Sequence, residues 1–178
     1  MEEIVFKVFK AALPTFFMRE IKNITDNVSE RNLCQRLASY VERQLEQTEL
    51  AHYYVDNEYN RKQEGHVKTI INHKEVVVTI TCDLLIHSRG EVIDHDNLLA
   101  LEMKKSTASE ADKLSDKQRL CALTAIPNER VWGWGGPHPE HVCGYEVGIY
   151  MEIDRTRRTC YFERYRHGKL FNSWTESY

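Results

Sequence analysis

Apolar residues in the first fifty positions recur every three to four residues, which is the spacing of one face of an α-helix. The first such stretch covers positions 2–22, and Pro14 near its middle predicts two short helices or one bent helix. In the second stretch, Ser29 supplies an N-cap and Glu30 lies in the first turn, followed by an apolar stripe over 33–45. The pattern therefore predicts N-terminal helices within residues 1–48.

From position 52 onward the pattern is typical of β-strands. Segments rich in Val, Ile, Leu, Thr and Tyr, separated by turn-forming residues, predict strands at 52–60, 67–72, 75–86, 97–103, 145–153 and 159–165. An amphipathic helix is predicted over 109–125, and a strand, helix and strand in succession favour a parallel pair with the helix crossing one face of the sheet. The predicted fold class is α/β, with a mixed central sheet within residues 52–165, flanked by helices, in a single domain of residues 1–178.

Composition and charge narrow the class of protein. Hydrophobic residues make up 42% of the chain and charged residues 29%, which argues against a disordered or low-complexity protein. The formal net charge of −3 argues against a chain that coats nucleic acid or membrane through bulk charge. Any polyanionic partner must therefore be contacted locally.

The cysteines and the N-terminus bear on the compartment. The five cysteines are scattered and none forms a Cys-x-x-Cys pair, so the sequence predicts neither a disulfide framework nor a four-thiolate zinc site. Glu2 and Glu3 stand where a signal peptide needs positive charge, and Lys7 and Lys10 interrupt the first apolar run. We therefore expect a cytoplasmic protein with reduced cysteines and no membrane insertion.

The most informative segment for chemistry is the apolar strand at 97–103. Glu102 lies near its end, and Lys104 follows two positions later. Residues two apart on a strand face the same side, so these two charged side chains are predicted to project together from a buried strand. Removing charged side chains from water costs free energy unless the charges are paired or bind a ligand.

A second carboxylate interrupts the apolar run over 76–86 at Asp83. An antiparallel return through the predicted turn at 88–90 brings Asp83 and Glu102 together at neighbouring strands. Two carboxylates at hydrogen-bonding distance repel each other unless a proton or a cation lies between them. Oxygen ligands favour a hard ion, so the pair predicts an Mg²⁺ or Mn²⁺ site.

These residues resemble the PD-(D/E)XK phosphodiesterase superfamily, also called the restriction-endonuclease-like superfamily. The match consists of Asp83 followed by Glu102-Met103-Lys104, each acid set in an apolar strand. A further likeness, at 28–31, 55–61 and 97–99, extends over most of the chain and looks like that of small standalone bacterial and phage members. The chain departs from the family at Cys82, where the family has a proline, and in the loop 127–142.

The resemblance implies a restriction-endonuclease-like fold and a set of functional residues. Asp83, Met103 and Glu102 would be the metal positions, and Lys104 would lie beside the attacking water. Glu30 would be an accessory acid, and Glu58 belongs to the shared motif with its role left open. The implied activity is Mg²⁺- or Mn²⁺-dependent nuclease hydrolysis of phosphodiester bonds, leaving 5′-phosphate and 3′-hydroxyl ends. We favour DNA over RNA as the substrate, although the sequence leaves both open.

Each of these residues also has a purely structural interpretation. Glu102 and Lys104 can form a salt bridge on the solvent-exposed rim of the sheet. Glu30 can simply interact favourably with the dipole of its own helix. Glu58 can be an exposed strand acid paired with Arg61. The alternative function is a catalytically silent nucleic-acid or protein-binding module on the same fold, or a nuclease that needs a partner protein or homodimer.

Four basic residues are candidate nucleic-acid contacts. Lys113 and Lys117 lie on the predicted helix 109–125, and Arg157 and Arg158 lie near a C-terminal hairpin. The alternative for both pairs is an ordinary solvated surface. In the loop 127–142, two tryptophans two positions apart can stack on unpaired bases or pin the loop to the domain.

Overall fold

A six-stranded sheet and the helices packed on its two faces make up most of the described part of the chain. The structure is a computed structural model that describes residues 1–58, 82–126 and 143–178, together with the backbone of 69–71 and 77–79. The predicted α/β class, with a mixed sheet flanked by helices, is confirmed. The loop 127–142 with its tryptophans, and Arg61, lie outside the described residues.

The two N-terminal helices begin where the sequence predicts. Helix α1 (Glu2–Thr25) runs on through Pro14 as one helix, held by fully buried side chains on both sides of the proline, such as Phe9 and Phe16. Helix α2 (Glu30–Leu45) begins after Ser29, whose hydroxyl accepts a hydrogen bond from the Asn32 amide at 3.2 Å.

The main sheet has the strand order β1-β4-β5-β6-β7-β8. Its strands are β1 (Tyr54–Asp56), β4 (Leu84–His87), β5 (Asn97–Lys105), β6 (Val147–Asp154), β7 (Thr159–Arg166) and β8 (Lys169–Ser177). Strands β2 (Thr69–Ile71) and β3 (Val77–Thr79) form a separate antiparallel pair. In the main sheet, β5 and β6 are parallel and the other neighbours are antiparallel.

One strand prediction was wrong, and one strand was missed. The predicted strand 75–86 is divided between β3 and β4, which belong to different sheets, so Asp83 precedes a strand rather than interrupting one. Strand β8 was not predicted, because most of its residues are exposed and leave no alternating apolar pattern. The predicted parallel pair with a crossover helix is confirmed by helix α3 (Glu110–Leu123), which connects β5 to β6.

Alternate residues of β5 serve two different cores. Leu99, Leu101 and Met103 pack in the large core with α1 and α2, whereas Ala100 packs in a smaller core with Leu120 of α3. Glu102 and Lys104 follow Ala100 at intervals of two, so both project toward α3. Of the described helices, none combines the length and apolar character needed to cross a membrane.

Candidate functional site

Asp83 and Glu102 lie opposite each other at the beginning of β4 and near the end of β5. The antiparallel register pairs Leu84 with Leu101 and Leu85 with Ala100, and one further step places Asp83 opposite Glu102. The Asp83 carboxylate turns onto β5, where its Oδ2 accepts a hydrogen bond from the Met103 amide at 2.8 Å. The predicted convergence of these two acids is therefore present, although Asp83 lies just outside its strand.

Glu102 is almost completely buried, with 1% of its surface exposed. Its Oε1 accepts a hydrogen bond from Arg119 Nη1 at 2.7 Å and another from the Cys82 thiol at 3.3 Å. Burial, and then the negative charge of Asp83, raise the pKa of Glu102 to about 8, against the opposing effect of Arg119. Cys82, which stands where the resembled family has proline, thus contacts Glu102 directly.

The pKa of Asp83 is also raised, mainly by burial. The Met103 amide and the charge of Lys104 act in the opposite direction, and the charge of nearby Asp116 raises the pKa further. Ionisation is therefore unfavourable for both of these neighbouring carboxyls. A proton or a bound cation would offset the repulsion between their negative charges.

Lys104 is held among acids on the α3 side of β5. Its Nζ lies 2.8 Å from Asp116 Oδ2 and 3.7 Å from Glu30 Oε2, and 18% of its side chain is exposed. Burial lowers the pKa of Lys104, but Asp116, followed by Asp83 and Glu30, outweighs burial and leaves the pKa raised. Lys104 therefore carries its positive charge at neutral pH.

Glu30 joins α2 to the end of β5. Its Oε1 accepts a hydrogen bond from the Lys105 amide at 2.8 Å, and its Oε2 faces Lys104. A carboxylate in the first turn of a helix is also favoured by the helix dipole, so the structural and functional interpretations of Glu30 are compatible.

Glu58 lies at the margin of this group. It follows β1 with a left-handed backbone (φ 50°), and its carboxylate forms an ion pair with Arg31 at 2.7 Å. The preceding residue, Asn57, donates a hydrogen bond to the Asp83 carbonyl at 2.8 Å. Burial, followed by the charges of Asp83, Glu102 and Glu58, raises the pKa of the Cys34 thiol.

Two residues of α3 belong to the site in roles that the sequence does not indicate: Asp116 is not a candidate from the sequence, and Arg119 is a candidate only for lining a substrate groove. Asp116 contacts Lys104, and Arg119 contacts both Glu102 and Asp116 through Nη1, at 2.7 Å and 3.2 Å. The available signal was their spacing of three on one helix, which is common for surface ion pairs. Only the crossover of α3 over β5 distinguishes them.

The four candidate nucleic-acid contacts fall into two groups. Lys113 is buried and its ammonium group contacts Glu152 at 3.2 Å, while Lys117 contacts Glu163 at 2.8 Å. Arg157 and Arg158 lie in the exposed turn between β6 and β7. The turn is thus the more accessible part of the predicted nucleic-acid surface, and the two lysines already have acidic partners.

The donor atoms at Asp83 and Glu102 fit a hard divalent cation. In the parts of the chain that the structure describes, no group of three or more His, Cys, Asp or Glu side chains is arranged to hold a metal ion. Two carboxylates nevertheless suffice for Mg²⁺, which commonly keeps several waters and takes one or two carboxylates from the protein. The Met103 side chain packs in the large core, so only backbone atoms of Met103 lie at the two acids.

Comparison of the chain with family models, with curated proteins and with solved structures gave no match.

Proposed function

We propose that this protein is a metal-dependent nuclease that hydrolyses phosphodiester bonds, in DNA rather than RNA. The observation that carries the proposal is the meeting of Asp83 with the buried Glu102, with the charged amine of Lys104 two residues away. The resemblance of this Asp, Glu-x-Lys pattern to PD-(D/E)XK phosphodiesterases adds to it. The restriction-endonuclease-like fold is part of the same proposal.

Asp83 and Glu102 would hold Mg²⁺ or Mn²⁺ through their carboxylate oxygens. When bound, such a cation polarises the phosphate and offsets the charge of the leaving oxygen. The hydrogen bond from the Met103 amide fixes one oxygen of Asp83, and Arg119 fixes one oxygen of Glu102. Both carboxylates are thereby oriented before a ligand arrives, which lowers the cost of ordering them.

Lys104 would orient the attacking water and stabilise the negative charge that develops on the phosphate. Its ammonium group can do so because its pKa is raised and its side chain is largely removed from solvent. A positioned charge in a site of low dielectric stabilises a developing charge more strongly than it would in water. Glu30, 3.7 Å from the same amine, would assist in holding it.

The test is cleavage of plasmid, linear and single-stranded DNA, and of RNA, in Mg²⁺ or Mn²⁺. Asp83→Asn and Lys104→Ala are the informative variants, and Asp94→Asn and Lys7→Ala are matched controls at exposed positions. Asp83→Asn keeps an oxygen that can accept from the Met103 amide while removing the charge. We expect cleavage by the wild type and both controls and at least about a hundredfold loss in both site variants. Equal cleavage by all five proteins would show a contaminant and refute the proposal.

A second candidate function is a nucleic-acid or protein-binding module that cleaves nothing. It is favoured by the internal pairing of the site charges, Glu102 with Arg119 and Lys104 with Asp116, and by the net charge of −3. This alternative predicts that Lys104→Ala leaves nucleic-acid binding unchanged, with no hydrolysis by the wild type in either metal.

A further inference from the structure

Asp116 lies between the two cationic side chains of the candidate site. Its Oδ2 is 2.8 Å from Lys104 Nζ, and its Oδ1 is 3.2 Å from Arg119 Nη1. The same Arg119 nitrogen contacts Glu102 at 2.7 Å. A continuous chain of alternating charges therefore runs from Lys104 through Asp116 and Arg119 to Glu102.

Asp116 is itself buried, with 5% of its side chain exposed. A carboxylate removed from water requires compensating charges or hydrogen bonds, and Lys104 and Arg119 provide the two oppositely charged contacts. The other acid near Lys104, Glu30, is farther away at 3.7 Å. Among the described acids, Asp116 is thus the closest anionic partner of the Lys104 amine.

We propose that Asp116 is a positioning residue, which holds the Lys104 amine and the Arg119 guanidinium beside the Asp83–Glu102 pair. The inference deepens the proposed nuclease function and rests on it for its catalytic consequence. Asp116 forms no hydrogen bond with Asp83 or Glu102, the two acids that would bind the cation. It acts instead through Lys104, which would orient the water, and through Arg119, which holds Glu102.

Helix α3 thereby has a role beyond closing the sheet. One helical turn carries both Asp116 and Arg119. A single rigid element therefore sets the positions of the Lys104 amine and the Arg119 guanidinium relative to β5. Side chains on a packed helix are held more exactly than those on a loop, which suits a group that must be placed within a fraction of an ångström.

The first test does not depend on cleavage. An amine-reactive acetylating reagent is applied to the intact protein at fixed pH, and the labelling rate of Lys104 is measured by peptide mass spectrometry. Asp116→Asn should raise the Lys104 labelling rate roughly fivefold, since the closest counter-ion is lost. Asp112→Asn, an exposed acid on the same helix, is the matched control and should leave the rate unchanged. An unchanged rate in Asp116→Asn would overturn the inference.

The second test separates positioning from folding. Asp116→Asn should lower kcat at least about tenfold while changing KM by less than about threefold, and Asp116→Glu should restore part of kcat. In a Lys104→Ala background, Asp116→Asn should lower kcat little further, because the group that it positions is already absent. Full kcat in Asp116→Asn, or fully additive losses, would overturn the catalytic consequence.

The two proposals fail in different ways. A wild type that cleaves nothing in either metal refutes the nuclease function, while the labelling rate still decides whether Asp116 holds Lys104. A wild type that cleaves, together with an unaffected Asp116→Asn variant, refutes the positioning role alone.

Discussion

Asp83 reaches across to β5 and accepts a hydrogen bond from the amide of Met103, the residue after Glu102, at 2.8 Å. This contact holds the Asp83 carboxylate against the strand that carries Glu102, and Glu102 is buried almost completely. The chain tolerates an arrangement that raises the pKa of both groups. Such local electrostatic cost is characteristic of functional sites, where stability is given up for activity.

Replacing Asp83 by Asn should stabilise the metal-free protein by about 1 kcal/mol at pH 8.5, because it removes a partly buried charge that lies next to the buried Glu102. The comparison is made by urea unfolding in the presence of a chelator, with Asp94→Asn as the control. Mg²⁺ should then stabilise the wild type and not the variant. A destabilised Asp83→Asn protein would show that the charge of Asp83 serves the fold.

The same pair predicts a pH dependence. A raised pKa in the folded state means that Glu102 binds its proton more tightly when folded, so its contribution is full below about pH 4.5 and is lost as the pH rises to about 8. The fall in the free energy of unfolding over this range should be smaller in Asp83→Asn. Urea unfolding of both proteins in chelator from pH 5 to pH 9 measures it, and parallel curves would contradict the coupling.

Arg119 should stabilise the fold as the counter-ion of Glu102. At pH 8.5, where Glu102 is mostly ionised, Arg119→Met should lower the free energy of unfolding by roughly 2 kcal/mol, since it leaves a buried acid without its charged partner. In a Glu102→Gln background the same substitution should cost much less. A double-mutant cycle with no coupling energy between the two positions would contradict the pairing.

The opposite sign of pH dependence is expected at Asp56 of β1. Burial raises its pKa, but hydrogen bonds from His87 and Arg89 outweigh burial and hold the pKa well below its usual range. A depressed pKa contributes stability above about pH 4, and that contribution is lost as the pH falls further. Asp56→Asn should therefore be about 1 kcal/mol less stable than the wild type at pH 7, with the difference narrowing below pH 4. A constant difference from pH 7 to pH 3 would refute this.

How far the site was predictable depends on which element carries each residue. The sequence marks Glu102, Lys104 and Asp83 because charges are rare in apolar strand segments, and the turn after β4 favours an antiparallel return. The Ser29 N-cap and the place of Glu30 in the first turn of α2 were predicted from local helix signals, whereas the role of Glu30 at the site was implied only by the family resemblance.

The contacts of Asp116 with Lys104 and of Arg119 with Glu102 could not be predicted in this way. Acids and arginines on an amphipathic helix are usually solvated, and their role depends on the crossover of α3 onto β5. The sequence predicts a single strand over 75–86 for a similar reason, since its apolar residues carry no signal for the change of partner between β3 and β4. Strand β8 forms by pairing with β7 at the edge of the sheet, and this pairing is not revealed by a largely exposed segment of mixed polar and apolar residues.

A calorimetric titration of the purified protein with Mn²⁺ tests most directly whether Asp83 and Glu102 hold a cation. We expect the wild type and Asp94→Asn to bind one Mn²⁺ per chain, and Asp83→Asn to bind it at least about tenfold more weakly. Wild-type protein that binds Mn²⁺ no better than Asp83→Asn would contradict a metal site at these two acids.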